Sequence, residues 1–279
     1  MVTQNYVSVV DYIRQRDEKR DGKEIAIEYD GNQITRDEYW DRIEHYKQYF
    51  LSNGFSYGGG KSIIICNLNA PEYEFMYVAL LEIGAVVSTV GLPFFNSDIK
   101  RHSTEKGADT IVLSVEYCSP ELREAFKRLG DNNGEDRIKR IIFTSAGEYK
   151  PEDKAAAYNK ALDCRAMINS LELPANIEVI FPGELNKYCE SSLDLSALRQ
   201  KVNLIDADAT YSNTGGTTTG IPNCAVHTHR AIISLLVSHE KNNYPEYDVR
   251  EGDKSLLLIP ISHITSQFYA LLLRRASGR

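Results

Sequence analysis

The chain has 279 residues, 42% of them hydrophobic, enough apolar side chains for one large domain or two ordinary ones and too many for a disordered segment. Lys and Arg number 32 against 39 Asp and Glu, a formal net charge of −7, so the basic footprint required for nucleic-acid binding is missing. The five cysteines, Cys66, Cys118, Cys164, Cys189 and Cys224, are widely spaced with no C-x-x-C pair or Cys/His cluster of zinc spacing, which predicts free thiols in a reducing cytoplasm and no protein-held metal.

The N-terminal twenty residues contain no apolar signal region, and their charged run from Arg14 to Arg20 reads as a solvated helix face. Thr35 and Glu38 form a T-x-x-E capping box. Tyr39, Ile43, Tyr46 and Phe50 then follow at helical spacing, and Gly54 closes the helix. Ser62 to Cys66 is short, continuous and β-branched, the pattern of a buried parallel strand. Asn69 is expected to open the next helix, with Pro71 and Glu72 in its first turn and Gly84 at its end. The apolar stretch from Phe75 to Val90 is broken by Glu82 and Gly84, so no membrane span is predicted.

The alternation continues: a strand at Ala85 to Val90, a helix near Ser97 to Lys106 stopped by Gly107, a strand at Thr110 to Ser114, a helix from Pro120 to Leu129, and a strand at Ile141 to Thr144. A polar surface helix is expected within Tyr149 to Asn176, a strand at Ile177 to Phe181, then loop and short helix to Val202. Strands at Ala209 to Ser212, Ala225 to His227 and Ser255 to Ile259, a helix from His229 and an amphipathic helix over Phe268 to Arg274 complete the pass. Strands separated by helices predict an α/β fold, a mostly parallel sheet covered by helices. A division into residues 1–204 and 205–279 is the expected organisation, and the chain reads as the N-terminal part of a longer protein.

Thr214-Gly215-Gly216-Thr217-Thr218-Thr219-Gly220 lies between two predicted strands. Glycines let backbone N–H groups converge on an anion and threonine hydroxyls add donors, although the same residues also serve ordinary hairpin turns. It is not a Walker loop, because Ile221 and Pro222 stand where lysine and hydroxyl belong. Nor is it a dinucleotide fingerprint, because Gly215 and Gly216 are adjacent and Pro222 interrupts a helix start.

The segment Tyr211 to Ile232 resembles the phosphate-loop signature of the adenylate-forming superfamily, the acyl-CoA and aryl-CoA synthetases, luciferases and adenylation domains. Thr214 to Thr218, Gly220, Pro222, Thr228, His229 and Arg230 match in type and order. Leu257 to His263 resembles the family's next motif, an apolar strand running into P-x-x-H. The likeness covers most of residues 30–115 and 205–275. Two positions depart from the pattern: one threonine too many precedes Gly220, and Asn223 stands at the family's lysine.

The resemblance implies a ligase that joins a small carboxylic acid to ATP, brought as its Mg²⁺ complex, to form an acyl-adenylate, with CoA as acyl acceptor. Residues 214–220 would cradle the phosphates, and His263 would lie at the acyl carboxyl group as a catalytic residue. His229 is expected to start a helix capped by Thr228 rather than do chemistry, and Cys224 to be a small buried residue. The apolar residues Phe268 to Leu273 offer a surface through which two copies could pair as a homodimer. A non-catalytic nucleotide-binding or acyl-binding module of the same fold is the alternative.

Overall fold

The computed structural model describes residues 6–93, 103–130, 138–185, 202–213, 224–241 and 254–268. In chain order the elements are α1 (Val9–Asp17), β1 (Ile25–Tyr29), β2 (Asn32–Thr35), α2 (Arg36–Ser52), β3 (Ser62–Cys66), α3 (Pro71–Ile83), β4 (Val86–Thr89), β5 (Thr110–Ser114), α4 (Pro120–Gly130), β6 (Arg140–Thr144), α5 (Glu152–Ala161), α6 (Cys164–Asn169), β7 (Glu178–Ile180), β8 (Asp208–Asn213), β9 (Cys224–Thr228) and α7 (His229–Lys241). β1 and β2 form a hairpin. The other seven strands make one sheet in the order β7-β6-β5-β3-β4-β8-β9, parallel except for the antiparallel edge pair β8–β9.

Every residue of β3, β4 and β5 is buried, as strands covered on both faces must be. Strand alternation divides them between two cores. Ile63, Ile65 and Val87 join Tyr39, Phe50, Phe75 and Ile232 from α2, α3 and α7, whereas Ile64, Cys66, Ile111 and Phe143 join Leu122 and Phe126 of α4. The Thr35 capping box forms, with Glu38 Oε2 accepting from the Thr35 N–H at 2.8 Å. Gly54 and Gly84 take φ of +87° and +77° behind their helices; a Cβ on Gly84 would lie 2.7 Å from Leu204 Cδ2.

Among the described residues most expected elements recur with shifted ends, and the exceptions have physical causes; residues 97–102, 186–201 and 269–274 of the expected elements lie outside them. The charged run from Arg14 is solvated only in part, with Gln15, Glu18 and Lys19 exposed. Asp17 is buried and paired with Arg36, while Arg14 lies 4.0 Å over the Trp40 ring and bridges Glu44 and Glu82. The polar stretch after Tyr149 holds two helices, α5 and α6, with the Asp163 side chain capping α6 by accepting from Ala166 N at 2.9 Å. Residues 255–259 form no strand: Leu256 and Leu258 are 81% and 78% exposed and no ladder reaches them, although Leu257 packs on the core. Cys224 is exposed, because it opens an edge strand with a largely uncovered face. From Phe268 to Arg274 only Phe268 is described, its ring edge-on to His227 at 5.5 Å. No described helix is long and apolar enough to cross a membrane.

Candidate functional site

The interior strands carry polar residues at their C-terminal ends. β3 runs into Asn67, β4 ends in Ser88 and Thr89, β5 in Ser114, β6 in Thr144 and β8 in Ser212 and Asn213. Asn67 Oδ1, Ser88 Oγ and Ser212 Oγ are buried with no hydrogen-bond partner among the described residues. Buried polar atoms are ordinarily paired, and in open α/β sheets ligands bind at the carboxyl ends of strands. This edge is therefore the candidate site.

The segment from Ile259 to Gln267 crosses that edge and is fastened to it. Asn69 does not cap α3, whose N-cap is Ala70 without a side-chain bond. Instead Asn69 Nδ2 donates to Ile259 O at 2.9 Å and its Oδ1 accepts from Ile261 N at 2.8 Å. Thr89 Oγ1 donates to Ser262 O at 3.2 Å, and buried Gln267 donates to Thr89 Oγ1 at 2.6 Å. Tyr77 OH in turn donates to Gln267 Oε1 at 3.3 Å. Burial pushes the Tyr77 phenol up, so it stays a neutral donor.

These anchors present His263 on a tight turn, its N–H bonded to Pro260 O at 2.9 Å. The imidazole is exposed, and its Nδ1 accepts from Thr265 N at 3.2 Å. In the neutral ring the proton then sits on Nε2, which leaves a donor for a ligand oxygen. His263 thus follows Ser262, whose carbonyl is bonded to Thr89 at the C-terminal end of β4. Thr214 to Gly220, with Asn223, lie outside the described residues. The strands on either side are in place, Asn213 of β8 opposite Cys224 of β9.

His229 is structural. It is fully buried at the start of α7, Thr228 Oγ1 accepts from Ala231 N at 3.2 Å as a cap, and His229 Nδ1 accepts from Val9 N at 3.2 Å. Burial pushes its imidazole down to about 4. Asn69, Thr89, Tyr77 and Gln267 were not expected from the sequence; hydroxyls ending otherwise apolar strands were the available signal.

A second concavity, about 670 Å³, lies past the ends of β6 and β7 and is lined by Ser145, Glu148, Asp163, Cys164, Arg165 and Glu184, among others. Three carboxylates against one guanidinium disfavour a phosphate there, and it contains none of the expected site residues. Among the described residues no group of three or more His, Cys, Asp or Glu is arranged to hold a metal ion.

A mostly parallel sheet with flanking helices and a fastened P-x-x-H turn at its strand ends defines an α/β protein. The chain belongs to the AMP-binding enzyme family, whose model matches residues 14–278. It is 26% identical over 220 residues to 4-coumarate–CoA ligase 3 of Arabidopsis thaliana, which covers 78% of this chain and 32% of that protein. Its fold is similar to that of the inhibitor-bound N-terminal domain of FACL13 from Mycobacterium tuberculosis, with a TM-score of 0.64, 14% identity and coverage of 98% of this chain and 56% of the other. The anthranilate CoA ligase AuaEII, in complex with anthranoyl-AMP, gives 0.65 at 13% identity, covering 98% and 44%. The chain spans about a third of the curated relative and about half of these two structures.

Proposed function

We propose that this chain supplies the N-terminal part of an ATP-dependent carboxylate-activating ligase that forms an acyl-adenylate and then a thioester with CoA. The observation that carries this reading is the fastened Pro260 to His263 turn over the strand ends of a family-matched chain. A carboxylate oxygen attacks the α-phosphorus of ATP and pyrophosphate leaves. The CoA thiol then attacks the adenylate carbonyl, loses its proton and expels AMP. Neither step needs a covalent enzyme intermediate, so positioning and charge stabilisation carry the catalysis.

Backbone N–H groups and hydroxyls of residues 214–220 are assigned to the β- and γ-phosphates. His263 Nε2–H is assigned to a carboxylate oxygen of the acid, holding it for attack and then stabilising the charge that develops in acyl transfer. Magnesium enters with ATP as part of the substrate. The described residues offer no ready-made cage for it.

A non-catalytic module of the same fold is the second reading, favoured by Asn223 at the family's lysine position. Acid-dependent exchange of labelled pyrophosphate into ATP separates the two, run on this chain and on the full-length protein with short, aryl and long-chain acids. The ligase reading expects exchange by the full-length protein and none by residues 1–279 alone. Exchange by neither, with every acid, supports the binding module, and robust exchange by the 279 residues overturns the partial-site assignment.

A further inference from the structure

Two lysines of the described structure are nearly inaccessible, and they are treated differently. Lys47 is 1% exposed and bridges Glu44 and Glu82. Lys106, at the end of the helical residues 103–106, is 8% exposed, and no described carboxylate pairs with it. Its Nζ lies 2.6 Å from Cys224 Sγ and 5.2 Å from the centroid of the Tyr211 ring. A thiol and a ring face leave most of an ammonium's charge uncompensated, a costly arrangement in a buried setting unless an anion completes it.

The position of this ammonium is specific. Tyr211 lies in β8 and Cys224 is the first residue of β9, paired across the ladder with Asn213, the last of β8. The Nζ therefore stands at the junction of the two strands that flank residues 214–223. From Val202 to Thr228 the sequence contains no Lys or Arg at all. Backbone N–H groups and hydroxyls in that span can donate hydrogen bonds, but none can neutralise a polyphosphate.

We propose that Lys106 is a phosphate-binding residue of this protein, supplying the ammonium for a nucleotide di- or triphosphate, or for pyrophosphate, bound beside the β8–β9 junction. The inference rests on the nucleotide-binding part of the proposed function. Lys106 comes from the crossover between β4 and β5, remote in sequence from the Gly/Thr-rich segment, so the loop motif alone gives no hint of it. A lysine's three donors on a flexible stem can pass from Cys224 Sγ to a phosphate oxygen with little backbone change.

The test measures affinity of the 279-residue chain for ATP and for inorganic pyrophosphate, with a melting curve for every variant. Lys106→Met should weaken both ligands by roughly tenfold or more, the scale of a lost charge-assisted hydrogen bond. It should also flatten the salt dependence of ATP binding. Lys106→Arg should recover most of the affinity, and Cys224→Ser should leave it within about twofold, because the thiol is only the resting partner. If the Met variant melts early, Lys106→Gln carries the same expectation. Wild-type affinity in a folded Met or Gln variant overturns the assignment of Lys106 while leaving nucleotide binding intact. Failure of the wild-type chain to bind either ligand overturns both.

Discussion

Asn69 illustrates how a polar side chain can serve a site without touching a ligand, by holding the turn that carries His263. His263 is exposed and holds one backbone N–H, so the fold loses little when it goes; Asn69 pins the segment leading to it through two bonds. His263→Ala is expected to leave the melting temperature unchanged and to lower kcat/KM of the full-length protein for its acid by at least about tenfold, the scale of a lost hydrogen bond to a charged group. Asn69→Ala should cost about 1–2 kcal/mol of stability and lower activity as well, since the turn carrying His263 is released. Equal activity losses without any stability difference between the two variants would show that Asn69 contacts substrate itself. Comparable activity of His263→Ala and wild type would remove His263 from the chemistry.

At the scale of elements, helix ends and strand bodies were the legible parts. Gly84 shows why: its left-handed φ and the 2.7 Å approach of Leu204 Cδ2 leave no room for a side chain. Gly84→Ala should therefore cost about 2 kcal/mol or more, combining left-handed strain with overpacking, and thermal denaturation of the variant would measure it. The same logic of continuous apolar runs and caps places β3, α2, α3, β5 and α7 from sequence alone. It fails at the N-terminus, where α1 carries charges that are satisfied only after folding: Asp17 meets Arg36, and Arg14 meets Glu44 and Glu82. It fails again at residues 255–259, whose continuous apolar run Leu256 to Ile259 is that of a strand although the segment joins no ladder. For the proposed site, the P-x-x-H motif singles out His263. The anchors Asn69, Thr89 and Gln267 are polar residues brought together from distant positions, which no local spacing records.

Over the whole molecule, buried titratable groups give stability opposite slopes with pH. Glu72 of α3 is buried, accepts from Tyr46 OH at 2.9 Å and has its other oxygen unpartnered among the described residues. Tyr46 OH also lies 3.1 Å from Tyr149 OH, and Glu148 and Glu116 add negative charge nearby. Burial first, then the Glu148 charge, pushes the Glu72 carboxyl well above its usual range, and burial carries Glu148 to about 7. The folded state thus holds protons that unfolded glutamates release near 4.5. This contribution is complete below that pH and is lost as pH rises through the folded values. His229 has the reverse sign: held neutral by burial, it falls from 6.5 to about 4, so its contribution is complete above 6.5 and is lost as pH drops. Between about 4.5 and 6.5 the two oppose each other; above 6.5 only the carboxylates act. The wild-type melting temperature should consequently decline on the alkaline side, and Glu72→Gln, which keeps the shape and removes the ionisation, should flatten that decline while leaving the acid limb set by His229 in place. An alkaline decline as steep in Glu72→Gln as in wild type would mean that Glu72 is already ionised in the fold, and that the Tyr46 hydroxyl is donating to a carboxylate.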